Sequence, residues 1–418
     1  MNKHDLTEAK RSIGRFVAYA GPALIISIGY MDPGNYGTDI QGGASFGYSL
    51  LWVVWFASIM AMLLQYLSGK LGIATEMSLP ELIRLKLKKK IYIIPYWLSA
   101  ETVAAATDLA EYLGTVIALN LLFKVPLTYA AIFGALDVII ILGLTSKRFR
   151  MLEQIFLLFV SVISFGYLYE IFVAKPDVSM IFYHSVIPSF TNSSAVLVAV
   201  GVIGATVMPH VIFLHSSLTR DKVRGSTIEL RVKFRKYHQL ETIIVLSIAA
   251  IVNATIMIMS AVAFNPTHSE LSSISEAYKI LIPVFGVAAA TIFLITLLSS
   301  GIASSVAGTL AGQTIMEGLL GKKVNVWLRR FVTRFVNVIP TSIAIILGID
   351  PLHILVYSQV VLSILIPLPI IPLLILTRNK QLMGQFVNRK ITTIIASLFV
   401  GVIVLFNVYL LTMLKSLS

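Results

Sequence analysis

Two short stretches of this chain put metal-ligating groups where a helix cannot run on. The first is Asp32-Pro33-Gly34-Asn35, set between Gly21-to-Met31 and a second short apolar stretch. The second is Ala205-Thr206-Val207-Met208-Pro209-His210, again inside an apolar run. Proline has no N–H to donate and glycine holds a helix poorly, so Pro33, Gly34 and Pro209 are read as helix breaks. In lipid, such a break survives only where protein buries it or where it lines a polar cavity. Asp32 offers a carboxylate. Asn35, three residues on, offers an amide that can converge on the same point if the segment turns. Met208 offers a thioether, a soft ligand that favours Mn, Fe or later metals over Mg and Ca. A lone Met in an apolar helix is ordinarily filler; its place directly before Pro209 marks this one out. The Ala205 carbonyl loses its usual partner because Pro209, four residues on, has no N–H. Its backbone oxygen is thus a fourth candidate ligand. The set suits a divalent transition metal better than an amino acid or a sugar.

Other polar residues in apolar surroundings form a second group. A charge in mid-membrane is expensive, and no Lys or Arg lies between Arg15 and Lys70 to pair with Asp32, which favours a ligand or proton site there. Asp108 and Glu111 are three residues apart and share a helix face. They read either as a proton relay or as buried salt bridges, for which Arg329, Arg330 and Arg334 are candidate partners. His210 and His215 follow the second break, and histidine titrates near neutral pH, which suits proton coupling. Gln359 is a buried amide, read as an auxiliary ligand or as a helix–helix hydrogen bond. Asp39 and Asp137 are weaker candidates that cap or pair. The small residues of Ser299–Gly312 suggest close helix packing.

The elements that must position these groups are membrane helices. Of 418 residues, 57% are hydrophobic and 13% charged, against roughly 25% charged in soluble domains. The mean hydropathy of +0.87 agrees. Apolar runs long enough to span a bilayer, about 20 residues, fall near 16–41, 48–73, 93–122, 127–144, 151–173, 194–218, 240–263, 281–316, 331–348, 352–376 and 391–414. The eighth is too long for one span, and its C-terminal part through Glu317 is expected to emerge into water. With the N-terminus in the cytoplasm, only Lys124, Lys175, Lys279 and Lys415 of the 33 Lys and Arg lie outside. The other 29 lie inside, which sets the orientation by the positive-inside rule and leaves the C-terminus outside. Spans 1 and 6 then run in opposite directions with their prolines 176 residues apart, so spans 1–5 and 6–10 read as an inverted repeat. The expected organisation is a single transmembrane domain over 1–418. It comprises a cytoplasmic tail (1–15), a first repeat (16–190), a second repeat (191–376), and a cytoplasmic loop with helix 11 (377–418).

Composition also excludes classes. There is no cysteine, hence no disulfide and no thiolate metal site. The net charge of +13 does not indicate nucleic acid, because it is confined to loops on one side. No cleavable signal peptide is expected. No hydrolytic motif or Gly-rich phosphate loop is present, so an enzyme or an ATP-driven pump is not expected, and an ion gradient is the expected driving force. An amino-acid carrier of similar architecture would present a half-helix N-terminus to a carboxylate substrate, which Asp32 and Met208 together oppose.

With these residues in view, the sequence resembles the Nramp family of divalent-metal transporters over nearly its whole length. The stretches that carry the resemblance are Asp32-Pro33-Gly34-Asn35, Met208-Pro209-His210, Thr107-Asp108-Leu109-Ala110-Glu111, Ala307–Gln313 leading to Met316-Glu317-Gly318, and Ser358–Ser363. The resemblance implies an all-α polytopic membrane protein with a LeuT-like fold: a 5+5 inverted repeat, broken helices 1 and 6, and an eleventh helix. It implies symport of Mn2+ or Fe2+ with protons across the cell membrane by alternating access. In that reading the metal is substrate, no cofactor is needed, and the partners are divalent metal ions, protons and the lipid bilayer; a monomer is the default. It implies ligation by Asp32, Asn35, Met208 and the Ala205 carbonyl, with Gln359 joining in some states. It implies proton handling by Asp32, His210, Asp108 and Glu111, with Arg330 and Arg334 nearby. Met208 argues against the magnesium-transporting relatives. Leu365 departs from the family pattern, which has a second polar residue in that part of span 10.

Overall fold

A computed structural model describes residues 21–136, 140, 143, 149–265 and 273–417. The basic N-terminal tail and Asp137 lie outside the described residues. The described chain is helical throughout, and its large outward side chains, such as Phe172, Phe182 and Leu405, are apolar. In water such a surface would be anomalous; against hydrocarbon it is the expected one.

Span 1 is divided. Helix α1 (Pro22–Ser27) and one 3-10 turn (Gly29–Met31) end at Asp32, whose backbone is extended (φ −81°, ψ 165°). Helix α2 (Pro33–Phe46) then starts with Pro33 in its first turn, a position where the missing N–H costs nothing. Span 2 is α3 (Leu51–Thr75) and span 3 is α5 (Lys90–Phe123), with a short helix α4 (Leu79–Leu87) between them. Then come α6 (Leu127–Ala135), α7 (Phe149–Ala174) and α8 (Val178–Val186). Span 6 is divided into α9 (Ser193–Val207) and α10 (Pro209–Val223) at Met208, whose φ of 47° and ψ of 84° stop the helix. Spans 7 and 8 are α11 (Ile228–Ala263) and α12 (Ile274–Leu320), and span 9 is α13 (Val326–Ile346). Span 10 is α14 (Pro351–Leu365) followed by α15 (Pro367–Thr377). Helix α16 (Lys380–Met383) and span 11, α17 (Lys390–Leu417), complete the chain.

Among the described residues eight helices are long and apolar enough to cross a bilayer, counting the divided spans 6 and 10 once each. The other three expected spans are the first, which is split into short halves, the fourth, part of which lies outside the described residues, and the ninth, which carries Arg329, Arg330 and Arg334. Span 10 is also interrupted, which the sequence reading did not expect: Pro367 cannot extend α14, and a new helix starts there. Span 8 is one helix bent at Gly286 (φ 89°), close after Pro283. The bend lies near its first end; Glu317 stands in the last turn at the far end.

The two divided spans cross head to tail. Helix α2 packs on α9, and α1 packs on α10, so the first half of each meets the second half of the other. This is the contact pattern of two antiparallel strokes through one midplane, as the inverted repeat requires. Helix α11 packs against both halves of span 1, α14 against α2 and α9, and α12 lies along α5. The Ser299–Gly312 run lets α12 approach closely: a side chain at Gly308 would stand 2.9 Å from both Glu111 carboxylate oxygens.

Candidate metal and proton site

The crossing brings Asp32, Asn35 and the Ala205 carbonyl together and places Met208 at the joint of α9 and α10. Asp32, the N-cap of α2, accepts a hydrogen bond on Oδ1 from the Asn35 backbone N–H at 2.9 Å and another from Asn35 Nδ2 at 2.8 Å. Asn35 Nδ2 also reaches the Ala205 carbonyl at 3.4 Å, from the last turn of α9. The amide nitrogen thus bridges two oxygens as a bound cation would. Met208 is fully buried, and a methyl group at Gly29 would meet its sulfur at 3.2 Å, so the thioether lies against the end of the first half-span. Asp32 Oδ2 is buried with no hydrogen-bond partner. Among the described residues no cluster of three His, Asp or Glu could hold a metal. The donors here are one carboxylate, one amide, one carbonyl and one thioether.

Gln359 of α14 approaches from the side. Its Nε2 donates to Ser358 Oγ at 3.0 Å, and its Oε1 is buried and unpartnered. Gly34 makes room for it: a side chain there would overlap the Gln359 amide. This corrects the reading of Gly34 as part of the break. Gly34 lies inside α2, and its role is close approach, while Asp32 and Pro33 carry the interruption.

The other proton candidates stand on α5 and α10, with the arginines of α13 against α5. His210 shares a hydrogen bond between Nδ1 and Thr107 Oγ1 at 3.0 Å, and its Nε2 is buried without a partner. Thr107 stands beside Asp108 and one turn from Glu111 on α5. Asp108 is ion-paired to Arg330, lies 3.7 Å from Arg334 and accepts from Asn337 at 2.7 Å. The salt-bridge reading of that acid face holds for Asp108; Glu111, buried against Gly308, keeps Oε2 without a partner. Arg334 also lies over the Tyr112 ring, 5.0 Å from its centre. Arg329 serves elsewhere, bound to Glu101 at 2.9 Å.

Comparison with known proteins settles the family. The family model for natural resistance-associated macrophage protein-like proteins, Nramp, matches residues 23–413. This chain belongs to the Nramp family. It is 42% identical to the divalent metal cation transporter MntH of Caldanaerobacter subterraneus subsp. tengcongensis, over 95% of this chain and 93% of that one. It is 44% identical to that of Acidiphilium cryptum over 94% of this chain and 90% of that one. The crystal structure of the Eremococcus coleocola manganese transporter superposes with a TM-score of 0.85 at 33% identity, covering 94% of this chain and 85% of that one. Mhp1, a nucleobase-cation-symport-1 transporter in a closed conformation, shares the fold alone (TM-score 0.50, 15% identity, 85% of this chain, 77% of that one). The fold is thus the expected LeuT-like one, and Nramp is a family of transporters, not of enzymes.

Several residues of this Nramp site were not singled out in the sequence. Asn253 of α11 donates to Asn35 Oδ1 at 3.2 Å and to the Tyr30 carbonyl at 3.0 Å, tying the divided span to span 7. Thr206 donates to the same Asn35 oxygen at 3.4 Å. An asparagine in the middle of Ala249–Met257 is a signal of the same kind as Gln359. Glu241, at the start of span 7, accepts from the backbone N–H groups of Gly21, Ala23 and Leu24 at 2.6–3.1 Å and so caps α1. Glu170 of α7 is buried with both carboxylate oxygens unpartnered, as is Asp39 of α2. Among the described residues Asp39 therefore neither caps nor pairs, against the expectation; it sits two turns beyond Asp32 on the same face of α2.

His215 belongs to a separate group. Its Nδ1 meets Gln65 Oε1 at 3.0 Å, and its ring stands edge-on to His238 at 4.7 Å. Beyond it, α4, α10 and the end of α12 enclose a polar cavity of about 450 Å³ lined by Glu81, Arg220, Asp221, Gln313 and Glu317 among others. Burial alone would raise the Glu81 carboxyl, but the Ser78 N–H and Arg220, at 2.8 Å, outweigh it and hold that carboxyl below its ordinary range.

Proposed function

We propose that this chain imports divalent transition-metal ions, Mn2+ first among them and Fe2+ after, together with protons, by alternating access in the cell membrane. The observation that carries the reading is the convergence of Asp32, Asn35, the Ala205 carbonyl and Met208 where two antiparallel divided helices cross. The relatives, divalent metal cation and manganese transporters, support the same substrate class. The N-terminus is cytoplasmic, the C-terminus extracellular, and the protein acts as a monomer.

The chemistry follows from the donors. A partly dehydrated Mn2+ arriving at the midplane is bound by Asp32 as a carboxylate, by Met208 through sulfur and by the Ala205 carbonyl. Asn35 must turn its amide so that Oδ1 faces the ion, which exchanges its bonds to Thr206 and Asn253 for one to the metal. Gln359, with a free Oε1 beside Gly34, supplies a further oxygen when α14 closes. Metal arrival favours the ionised Asp32, so a proton leaves it by way of His210, Thr107 and the Asp108–Glu111 face. The arginines of α13 pair with Asp108, and Glu111 is the member with a carboxylate oxygen left free to take part in the relay. Movement of α1 and α10 away from α2 and α9 then opens the inner side.

The test is uptake into proteoliposomes with an imposed pH gradient, competing Ca2+ and Mg2+, and an Asp32→Ala control. The expected result is saturable Mn2+ uptake that resists Ca2+, accelerates with external acid and vanishes in the control. Uptake of Mg2+ instead, or of no divalent ion, would overturn the substrate; Mn2+ uptake indifferent to the pH gradient would overturn the coupling.

A further inference from the structure

A basic groove lies between α4, the first turns of α5 and the end of α12, at the edge of the membrane region that the proposed orientation makes cytoplasmic. A groove of about 650 Å³ there is lined by four cations, Arg84, Lys88, Lys90 and Lys322, and by no acid. Their neighbours in the lining are apolar: Ile93, Ile94 and Leu319. The Arg84 guanidinium lies against Gly321, the left-handed residue that ends α12. It is half-buried, its Nε is buried without a partner, and among the described residues its side chain makes no hydrogen bond or ion pair. The nearby cations Arg220 and Arg329, by contrast, are each matched to a carboxylate. Four cations with no acid among the residues lining the groove make it positive, which favours an anion seated among them.

The apolar lining says what kind of anion. Ile94 and Leu98, one turn apart on α5, are exposed, and with Ile91 they form a continuous apolar surface leading out of the groove. A free phosphate would use the cations and leave that surface to water. A phospholipid uses both, its phosphate on the cations and its chains along α5. A zwitterionic choline headgroup would bring its own cation into an already basic groove. Basic pockets between membrane helices on the cytoplasmic side are suited to acidic lipid headgroups. We infer that this groove holds the headgroup of an anionic phospholipid. Arg84 and Lys322 also border the polar cavity between α4, α10 and α12, so the bound headgroup clamps α4 to the end of span 8 at the mouth of that cavity.

The experiment is native mass spectrometry of the full chain in detergent, offered equal phosphatidylglycerol and phosphatidylcholine with the same acyl chains, with and without inorganic phosphate. The wild type is expected to retain phosphatidylglycerol preferentially, undisturbed by phosphate. Arg84→Gln with Lys88→Gln should lower that retention about 25-fold, since each cation near an anionic headgroup counts for a factor of about five. Lys233→Gln with Lys236→Gln, an equal loss of charge elsewhere on the same side, should leave it unchanged. If the Arg84 variant does not purify, Lys322→Gln should give a smaller loss in the same direction. Equal retention of the two lipids by the wild type, equal loss in the control, no loss in the groove variants, or displacement by inorganic phosphate would each overturn the assignment. None of these readings depends on metal transport.

Discussion

At the scale of single residues, the site is a set of buried polar atoms with too few partners. Asp32 Oδ2, Gln359 Oε1, His210 Nε2 and Glu111 Oε2 all lack one. A buried unpaired polar atom costs about 1–3 kcal/mol, so the cluster is maintained at the expense of stability. Asn253 can hold the Asn35 amide in either orientation: it donates to Oδ1 as the structure stands, and once Asn35 has turned Oδ1 to the ion its own unpartnered Oδ1 can accept from Nδ2. Asn253→Ala is therefore expected to weaken Mn2+ binding by about 10–100-fold, as the loss of such an outer partner does at other metal sites. Asn253→Ser, which keeps a donor, should recover part of it. Isothermal titration with Mn2+ measures this, and an unchanged affinity in the alanine variant would rule out the positioning role. The ligand types were legible in the sequence because each is costly in lipid. The direction of the Asn35 amide, the service of Gly34 as a seat for Gln359 and the isolation of Asp39 were not, since all three depend on which helix lies opposite.

At the scale of elements, α1 is the weakest piece that must stay in place. It has six residues, too few for a helix to persist by itself. Glu241 of α11 holds it by three charge-assisted bonds from the first turn. Removing the carboxylate should free α1 to move. The chain has no cysteine, so a single Leu24→Cys reports on this without background. Combined with Glu241→Ala, that cysteine should react with a water-soluble thiol reagent at least about tenfold faster than with Glu241 present, since each such bond contributes about 1.5–3 kcal/mol. Glu241→Gln, which still accepts a hydrogen bond, should lie between. Equal rates in all three would mean that α1 is held by packing alone. The breaks in spans 1 and 6 were visible because proline stands beside a ligand. The break in span 10 was just as visible as Pro367 but carried no polar neighbour to draw attention. The short helix α4 has an Ser78–Glu81 capping box that only the folded contact with Arg220 makes conspicuous.

At the scale of the molecule, the expectation of eleven spans rests on apolar length alone, and the direction proposed for them on charge. That direction is open to test through the same lack of cysteine. A single Lys175→Cys should label in intact cells with a membrane-impermeant reagent, whereas Lys233→Cys should label only after permeabilisation. The reverse pattern would invert the proposed orientation. What no one-dimensional pattern held was the pairing of half-spans, α1 with α10 and α2 with α9. Treated as a linkage, these pairs are two rigid blocks, and along spans 1 and 6 they are joined through two pivots, extended Asp32 and left-handed Met208. On the proposed ligand set the cargo sits on both pivots at once. An ion that crosslinks them stiffens the axle, and its departure loosens both ends together, so that load and hinge are the same atoms.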